Sequence, residues 1–410
     1  MQAASVPLME AAESVAPQIR RARRVDPALL GSVGALLLTG LLVSFSASSR
    51  IGANMAGDVT YFLKRQIVWI LIGLLAAAFM VAVDYRVWRR YSVLLMAATL
   101  VGLGIMLLIG AEVFGADRWV LASGSIQPSE LAKFTVVVYV ADWLSGKRDE
   151  IRDLQMGLIP FAVLIGAICG LVVLQNDLST ALLIGLVATA MFFTAGAHLG
   201  QLLAAASVAG AVVAGFIYSS PFRMGRIRSF LDPYADPTGE GFQVIRSLAS
   251  FQRGGLFGVG LGQGQEKEVL PAPHTDAIFA VLGEELGLLG CLIVLALFAW
   301  LIWRGLRISA GAPDRFSSLL ACGLTAWIGL QALVNVAVAT KSIPPTGIPL
   351  PFISFGGSSM ITCLMAVGLL ANISRRVDPE RTKLYAHLDF RRGDRRSRLS
   401  RAHRARRIGR

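Results

Sequence analysis

Residues 277–303 read AIFAVLGEELGLLGCLIVLALFAWLIW, and the only charges in that run are Glu284 and Glu285. A membrane helix needs roughly 20 mainly apolar residues. This stretch exceeds that length and shows none of the strict alternation expected of a half-buried strand. Working outward, similar runs occur at about 28–47, 66–84, 92–110, 158–174, 178–195, 199–219, 316–340 and 358–374. A weaker run at 130–145 contains Glu130, Lys133 and Asp142, and the charges of the loops on either side require a crossing there. The pattern predicts an all-α polytopic membrane protein of about ten transmembrane helices. One long extracytoplasmic loop, 220–276, joins the seventh and eighth.

Composition agrees and removes alternatives. The chain has 410 residues, 55% hydrophobic and 16% charged. A soluble domain averages about 25% charged, so a large water-soluble enzyme is excluded, and the apolar content excludes a disordered chain. The net charge of +13 does not indicate nucleic acid. Residues 375–410 alone hold fourteen Lys/Arg against four acids, which leaves a nearly neutral apolar body. Cys169, Cys291, Cys322 and Cys363 lie inside apolar runs without metal-like spacing and read as small core residues. The four histidines form no HExxH pair, which argues against metal catalysis by His/Cys ligands.

Lys and Arg concentrate at 20–24, 86–90, 147–152, 304–315 and in the tail. The positive-inside rule therefore puts both termini in the cytoplasm. The predicted layout is a cytoplasmic segment 1–27, a membrane domain 28–374 and a basic cytoplasmic tail 375–410. The tail reads as a topological anchor in preference to a lipid-binding element. The first apolar run is too long for a signal-peptide core and reads as an uncleaved anchor.

Polar residues gather on the outer side. Asp276 precedes the run quoted above, where position alone favours a helix cap over chemistry. Counted around an ideal helix, Glu284 falls nearer Asp276 than Glu285 does, so Glu284 is the acid expected to share its cavity. Glu130 and Lys133, three residues apart, form either a buried ion pair or a cation offered to an anionic headgroup. Gln175-Asn176-Asp177 reads as a tight turn. The loop 220–276 carries Arg223, Arg226 and Arg228, an amphipathic piece near 242–252, and a glycine-rich strip at 254–262 suited to irregular backbone at the membrane surface. Pro344, Pro345, Pro349 and Pro351 forbid a helix and suggest a rigid plug folded back into the bundle. Two function classes fit: an enzyme acting on a lipid-linked substrate at the outer leaflet, or a transporter behind an outer gate. Mostly clean mid-span regions favour the enzyme.

Five segments in this order resemble the SEDS family (shape, elongation, division and sporulation): IQPSELAK at 126–133, RSFLDPYADPTGEG at 228–241, the strip at 254–262, HTDAIFAVLGEELG at 274–287 and TGIPLPFISFGGSS at 346–359. The resemblance covers about Ser46 to Asn372. It implies a peptidoglycan glycosyltransferase that polymerises lipid II at the outer face of the bacterial cytoplasmic membrane, in cell division or cell-shape maintenance. Transfer would invert the donor and release undecaprenyl pyrophosphate, and the division branch, FtsW, is favoured over the elongation branch, RodA. The alternative within the family is a lipid II flippase. Implied partners are a class B penicillin-binding transpeptidase and other divisome or elongasome membrane proteins. The family's essential acid maps onto Asp276, the expected general base. Lys133, Arg118, Arg65 and Arg228 are expected phosphate contacts, with Glu130 and Glu284 orienting neighbours and His274 and Ser358 beside the substrate. A bridging divalent cation is compatible with this chemistry, though no residue pattern reveals one.

Overall fold

A computed structural model describes residues 25–109, 127–147 and 150–377, all of them helix, turn or irregular chain. Among these residues, ten helices take up the ten apolar runs: α1 Pro27–Ala56, α2 Tyr61–Ala82, α3 Ser92–Ile109, α4 Pro128–Gly146 and α5 Ile159–Leu174, then α6 Leu178–Thr194, α7 Leu199–Tyr218, α8 Ile278–Ala310, α9 Arg315–Ala339 and α10 Gly357–Ser374. Seven spans are long and apolar enough to cross a membrane on their own account, and α3 and α6 are shorter apolar helices. The protein is a multi-pass helical membrane protein.

Local chemistry sets several helix ends. Asp26 accepts from the Ala28 and Leu29 amides, and Pro27 occupies the first helical position of α1. Asp177 accepts from the Thr180 amide at the start of α6. Asp314 and Ser317 form a reciprocal cap on α9.

The weakest run, α4, lies at the centre. It packs against α3, α6, α9 and α10, and most of its side chains are buried. Its charges all have protein partners, Glu130 and Lys133 inside the bundle and Asp142 at a partly exposed edge. Lys133 pairs with Glu130 at 2.8 Å, and Asp142 receives Arg89 at 3.0 Å and Ser92 at 2.6 Å. Low hydropathy here marks a helix whose neighbours are protein. The closest pairing is α2 with α10. A Cβ at Gly368 would lie 2.5 Å from the Ala77 carbonyl oxygen, so only a small residue permits this contact.

The run that opened the sequence reading is not one continuous helix. At Gly287 the backbone of α8 turns to φ 66°, ψ −167°. The glycine strip fills the break. Val259 and Gly260 donate to the Glu284 and Glu285 carbonyls at 3.0 Å, while Leu288 and Leu289 donate to Gly255 and Leu256 at 2.9 and 3.1 Å. Backbone groups freed by the break are thus satisfied by the loop, as an apolar environment demands. A Cβ at Gly287 would sit 2.3 Å from the Gly258 nitrogen in a left-handed conformation. Gly287→Ala is expected to cost about 3 kcal/mol or more, combining backbone strain with overpacking. Gly57 has φ 67° but open space around it, so Gly57→Ala should cost only about 1 kcal/mol. Thermal unfolding of the two variants in detergent checks the contrast.

The loop between α7 and α8 is structured. Helices Pro221–Leu231 and Phe242–Gly254 occupy it, the second packed against α8. The proline-rich stretch 343–356 is non-helical, with Leu350, Phe352 and Ile353 buried. It is the plug that the four prolines predict. By contrast, α7 contacts its neighbours sparsely and only 6% of its apolar window is buried.

Candidate active site

The site is built where two irregular segments meet on the face that carries the long loop. Three consecutive carbonyls before α8 are each held, two from the plug and one from α9. His274 accepts from the Phe355 amide at 2.8 Å, Thr275 from the Ser354 hydroxyl at 2.7 Å, and Asp276 from Asn335 Nδ2 at 3.1 Å. Asn335, buried on α9, also donates to the Ile348 carbonyl at 2.9 Å. One amide therefore ties the Asp276 segment to the plug. The cap expectation fails: the N-cap position of α8 is Ala277, which contributes no side-chain bond.

The half-buried Asp276 carboxylate lies in a cavity of about 240 Å³. Arg226, Ser229, Glu240, Gln243 and Thr346 complete its polar wall, with Pro345 and Gly347. Arg226 and Ser229 are three residues apart on the same face of helix Pro221–Leu231. Gln243 comes from the first turn of helix Phe242–Gly254. The cavity thus depends on both loop helices. Among the described residues, no group of three or more His, Cys, Asp or Glu side chains is placed to hold a metal ion. A second cavity, about 350 Å³ between helix Phe242–Gly254, α8 and α9, is lined largely by apolar side chains such as Phe251, Phe279, Leu292 and Val336 and holds no ionisable group beyond Cys291.

His274 sits between Phe62 and Phe355, with ring centroids 4.8 and 5.6 Å away. Burial in this aromatic setting lowers its pKa to about 4. The folded protein then holds fewer protons than the unfolded chain between about pH 6.5 and pH 4. The residue's stabilising contribution is complete above pH 6.5 and is lost as pH falls towards 4. Histidine ¹³C NMR in detergent should show this imidazole titrating near pH 4; a midpoint near 6.5 would refute a buried neutral ring. At neutral pH His274 is no cation. On the same turn of α2 as Phe62, Arg65 donates to the Tyr61 hydroxyl at 2.9 Å, which puts its charge beside this aromatic cluster.

Several expectations change. Glu284 does not share the Asp276 cavity. Its carboxylate accepts from the Gln265 amide at 2.8 Å and the Glu266 amide at 3.1 Å, anchoring the loop. The reason is geometric: α8 starts at Ile278, so the helical angle from Asp276 does not apply. Arg228 is exposed and outside the cavity wall; one turn places Arg226 inward and Arg228 outward. Lys133 is not held open to a headgroup. It is buried, bonded to Glu130 and to Gln331 Oε1 at 2.9 Å, over the Trp327 ring. Gln331 in turn donates to the Pro349 carbonyl at 3.0 Å, so the Glu130–Lys133 pair supports the plug. Ser358 accepts from the Gln127 amide at 3.2 Å and joins the starts of α10 and α4. The turn at 175–177 is more than a turn, because buried Asp177 accepts from Gln127 Nε2 at 2.8 Å. Arg118 lies outside the described residues.

Sequence reading missed Gln243, Thr346 and Asn335 and gave Arg226 no role. Only Arg226 had a signal, its place three residues before Ser229 on one helical face. The others are neutral polar residues in apolar or turn-rich contexts, indistinguishable in sequence from ordinary solvation.

Similarity to known proteins is consistent along the chain. The family described as Cell cycle protein, FtsW/RodA/SpoVE, matches residues 27–378. Relatives include a probable peptidoglycan glycosyltransferase FtsW of Trichlorobacter lovleyi, 40% identical over 86% of this chain and 94% of its own length. Stage V sporulation protein E of Bacillus subtilis is 40% identical over 85% and 96%. Among solved structures, a chain from a study of polymerization and crosslinking by a peptidoglycan synthase complex aligns with TM-score 0.72 at 29% identity, covering 87% of this chain and 99% of that one. The rod shape determining protein RodA of Thermus thermophilus aligns with TM-score 0.64 at 28% identity, covering 86% and 98%. Sequence, fold and site segments agree: the chain belongs to the FtsW/RodA/SpoVE family.

Proposed function

We infer that the protein is a peptidoglycan glycosyltransferase that polymerises lipid II at the outer face of the bacterial cytoplasmic membrane. The observation that carries this reading is the Asp276 carboxylate, fixed through its backbone by Asn335 and exposed to a polar cavity walled by Arg226. In this reading the loop face is extracytoplasmic and segments 1–27 and 375–410 are cytoplasmic, which the Lys/Arg distribution supports.

The chemistry follows from that placement. Asp276 takes the proton from the 4-hydroxyl of the acceptor GlcNAc as its oxygen attacks the anomeric carbon of the donor MurNAc. A new C–O bond forms, the bond to the diphosphate breaks, and the electron pair leaves with undecaprenyl pyrophosphate. Attack opposite the leaving group turns an α donor into a β linkage. Diphosphate is already a good leaving group, so one positioned base with nearby cations suffices. Arg226, Arg228, Arg223 and Arg65 are among the cations this face offers. The pinned carbonyls at 274–276 supply preorganisation, so the base needs no backbone rearrangement at the moment of reaction.

The relatives support a role in septal or sporulation wall synthesis in preference to elongation. A structural relative studied within a peptidoglycan synthase complex supports a class B penicillin-binding transpeptidase as partner. Purified protein with that partner and lipid II should yield a muramidase-sensitive polymer, releasing one undecaprenyl pyrophosphate per disaccharide added. Polymer without diphosphate release, or a product resistant to muramidase, would overturn the inverting assignment. A fluorescently tagged copy should localise to midcell; sidewall localisation would favour elongation.

A further inference from the structure

The turn at 232–241 hands a second carboxylate to the Asp276 cavity. Asp236 accepts from the Gly239 and Glu240 amides at 3.0 and 3.1 Å, and its carbonyl accepts from the Gly241 amide at 3.0 Å. The turn therefore closes through Asp236 and does not need the Glu240 side chain. The Glu240 carboxylate crosses instead to helix Pro221–Leu231 and lies over Gly225, where a Cβ would collide with it. Gly225 is the gap that seats this carboxylate one residue from Arg226, on the wall that also holds Asp276.

Asp276, Glu240 and Arg226 are the charged side chains lining this cavity. Charges on the surrounding elements are engaged elsewhere. On the same loop helix, Arg223 donates to Asn176 at 3.2 Å and Arg228 is exposed outside the wall. Arg246 and Arg253 of helix Phe242–Gly254 pair with Glu266 at 3.3 and 3.1 Å. Glu284 and Glu285 of α8 face 265–267, Arg65 of α2 holds Tyr61, and α9 contributes the neutral Asn335. The plug at 343–356 has no ionisable side chain, Lys341 before it is outside the wall, and His274 is neutral above about pH 4.

A cavity of about 240 Å³ is about one Debye length across at physiological ionic strength, so its three charges act on one another. Alone, Arg226 favours the ionised form of Asp276 and makes it a weak base. An effective base holds its proton affinity nearer the working pH. The charge of Glu240 offsets Arg226 and repels that of Asp276, and both effects raise the affinity of Asp276 for a proton. We propose that Glu240 is a positioning residue that acts through Asp276: its charge keeps the Asp276 carboxylate basic enough to take the acceptor's proton while Arg226 stays in the wall. This rests on the glycosyltransferase reading and adds to it a residue that works through the base.

The test is the pH dependence of polymerisation by the detergent-solubilised complex. In the Glu240→Gln protein the acid limb of kcat should move down by about half a pH unit, the modest size expected of an exposed neighbour screened by water. The plateau should fall about twofold to threefold, with KM for lipid II not raised. Glu240→Asp keeps the charge and should restore the limb, whereas Arg226→Gln should move it up. A role confined to holding the loop would raise KM or lower the unfolding midpoint and leave the limb in place. An unmoved or upward limb in Glu240→Gln overturns the proposal. If that protein makes no polymer, ¹³C NMR of aspartate-labelled protein reads the same shift directly, with the Asp276 signal assigned through Asp276→Asn. Failure of the underlying function is distinguishable, because there the wild-type complex itself makes no polymer.

Discussion

Asp276→Asn is expected to abolish glycan-strand formation and to leave the protein folded. Asparagine preserves the shape of the side chain and the backbone carbonyl that accepts from Asn335. It removes the negative charge and, with it, the ability to take a proton. General-base catalysis contributes typically 10²–10⁴-fold, so the expected loss is at least two orders of magnitude in turnover. Because the N-cap of α8 is Ala277 and not Asp276, no helix cap is lost and the unfolding free energy should change by less than about 1 kcal/mol. Gel analysis of labelled lipid II products and thermal unfolding in detergent give the two readouts. Retained polymer with a destabilised fold would reverse the assignment and restore the capping role.

The second large effect concerns stability. Lys133→Met leaves Glu130 as an uncompensated charge with both side chains under 5% exposed. Breaking a buried pair from one side costs about 3–5 kcal/mol, whereas replacing both partners by groups of similar size is often near neutral. Lys133→Met alone should therefore collapse detergent stability, and Glu130→Gln/Lys133→Met should recover most of it. Unfolding midpoints across the four proteins of this cycle measure the coupling. A single replacement that is well tolerated would show that the pair is not structural, and the headgroup role expected from sequence would regain its standing.

The bundle was legible because bilayer length and apolar composition are local properties of a chain. Even the hardest span, α4, was reached through the charges of the loops on either side, which require a crossing there. The break in α8 was not legible. Gly287 sits inside an apolar run, and the groups that satisfy the break come from Gly255–Gly260, remote enough that only the fold joins them. The same break explains why Glu284 and Glu285 serve the loop: Glu285 binds Ser46 at 2.5 Å and Lys267 at 2.6 Å. At the site, Asp276 was reached as the candidate base through resemblance, since position alone favoured a cap. Arg226 was confused with Arg228 because helical phase within Pro221–Leu231 depends on where that helix begins. Asn335 and Thr346 had no sequence signal, because what distinguishes them is a carbonyl or an unpaired hydroxyl in space.

Polymerase and flippase differ in one requirement: the first needs no sealed membrane and the second has meaning only across one. The most direct measurement is therefore lipid II polymerisation by the detergent-solubilised complex, with the transpeptidase active site blocked by penicillin. An inverting polymerase gives a ladder of glycan strands in detergent, absent in the Asp276→Asn protein. No ladder in detergent, together with Asp276-dependent lipid II movement across sealed vesicles, would contradict it.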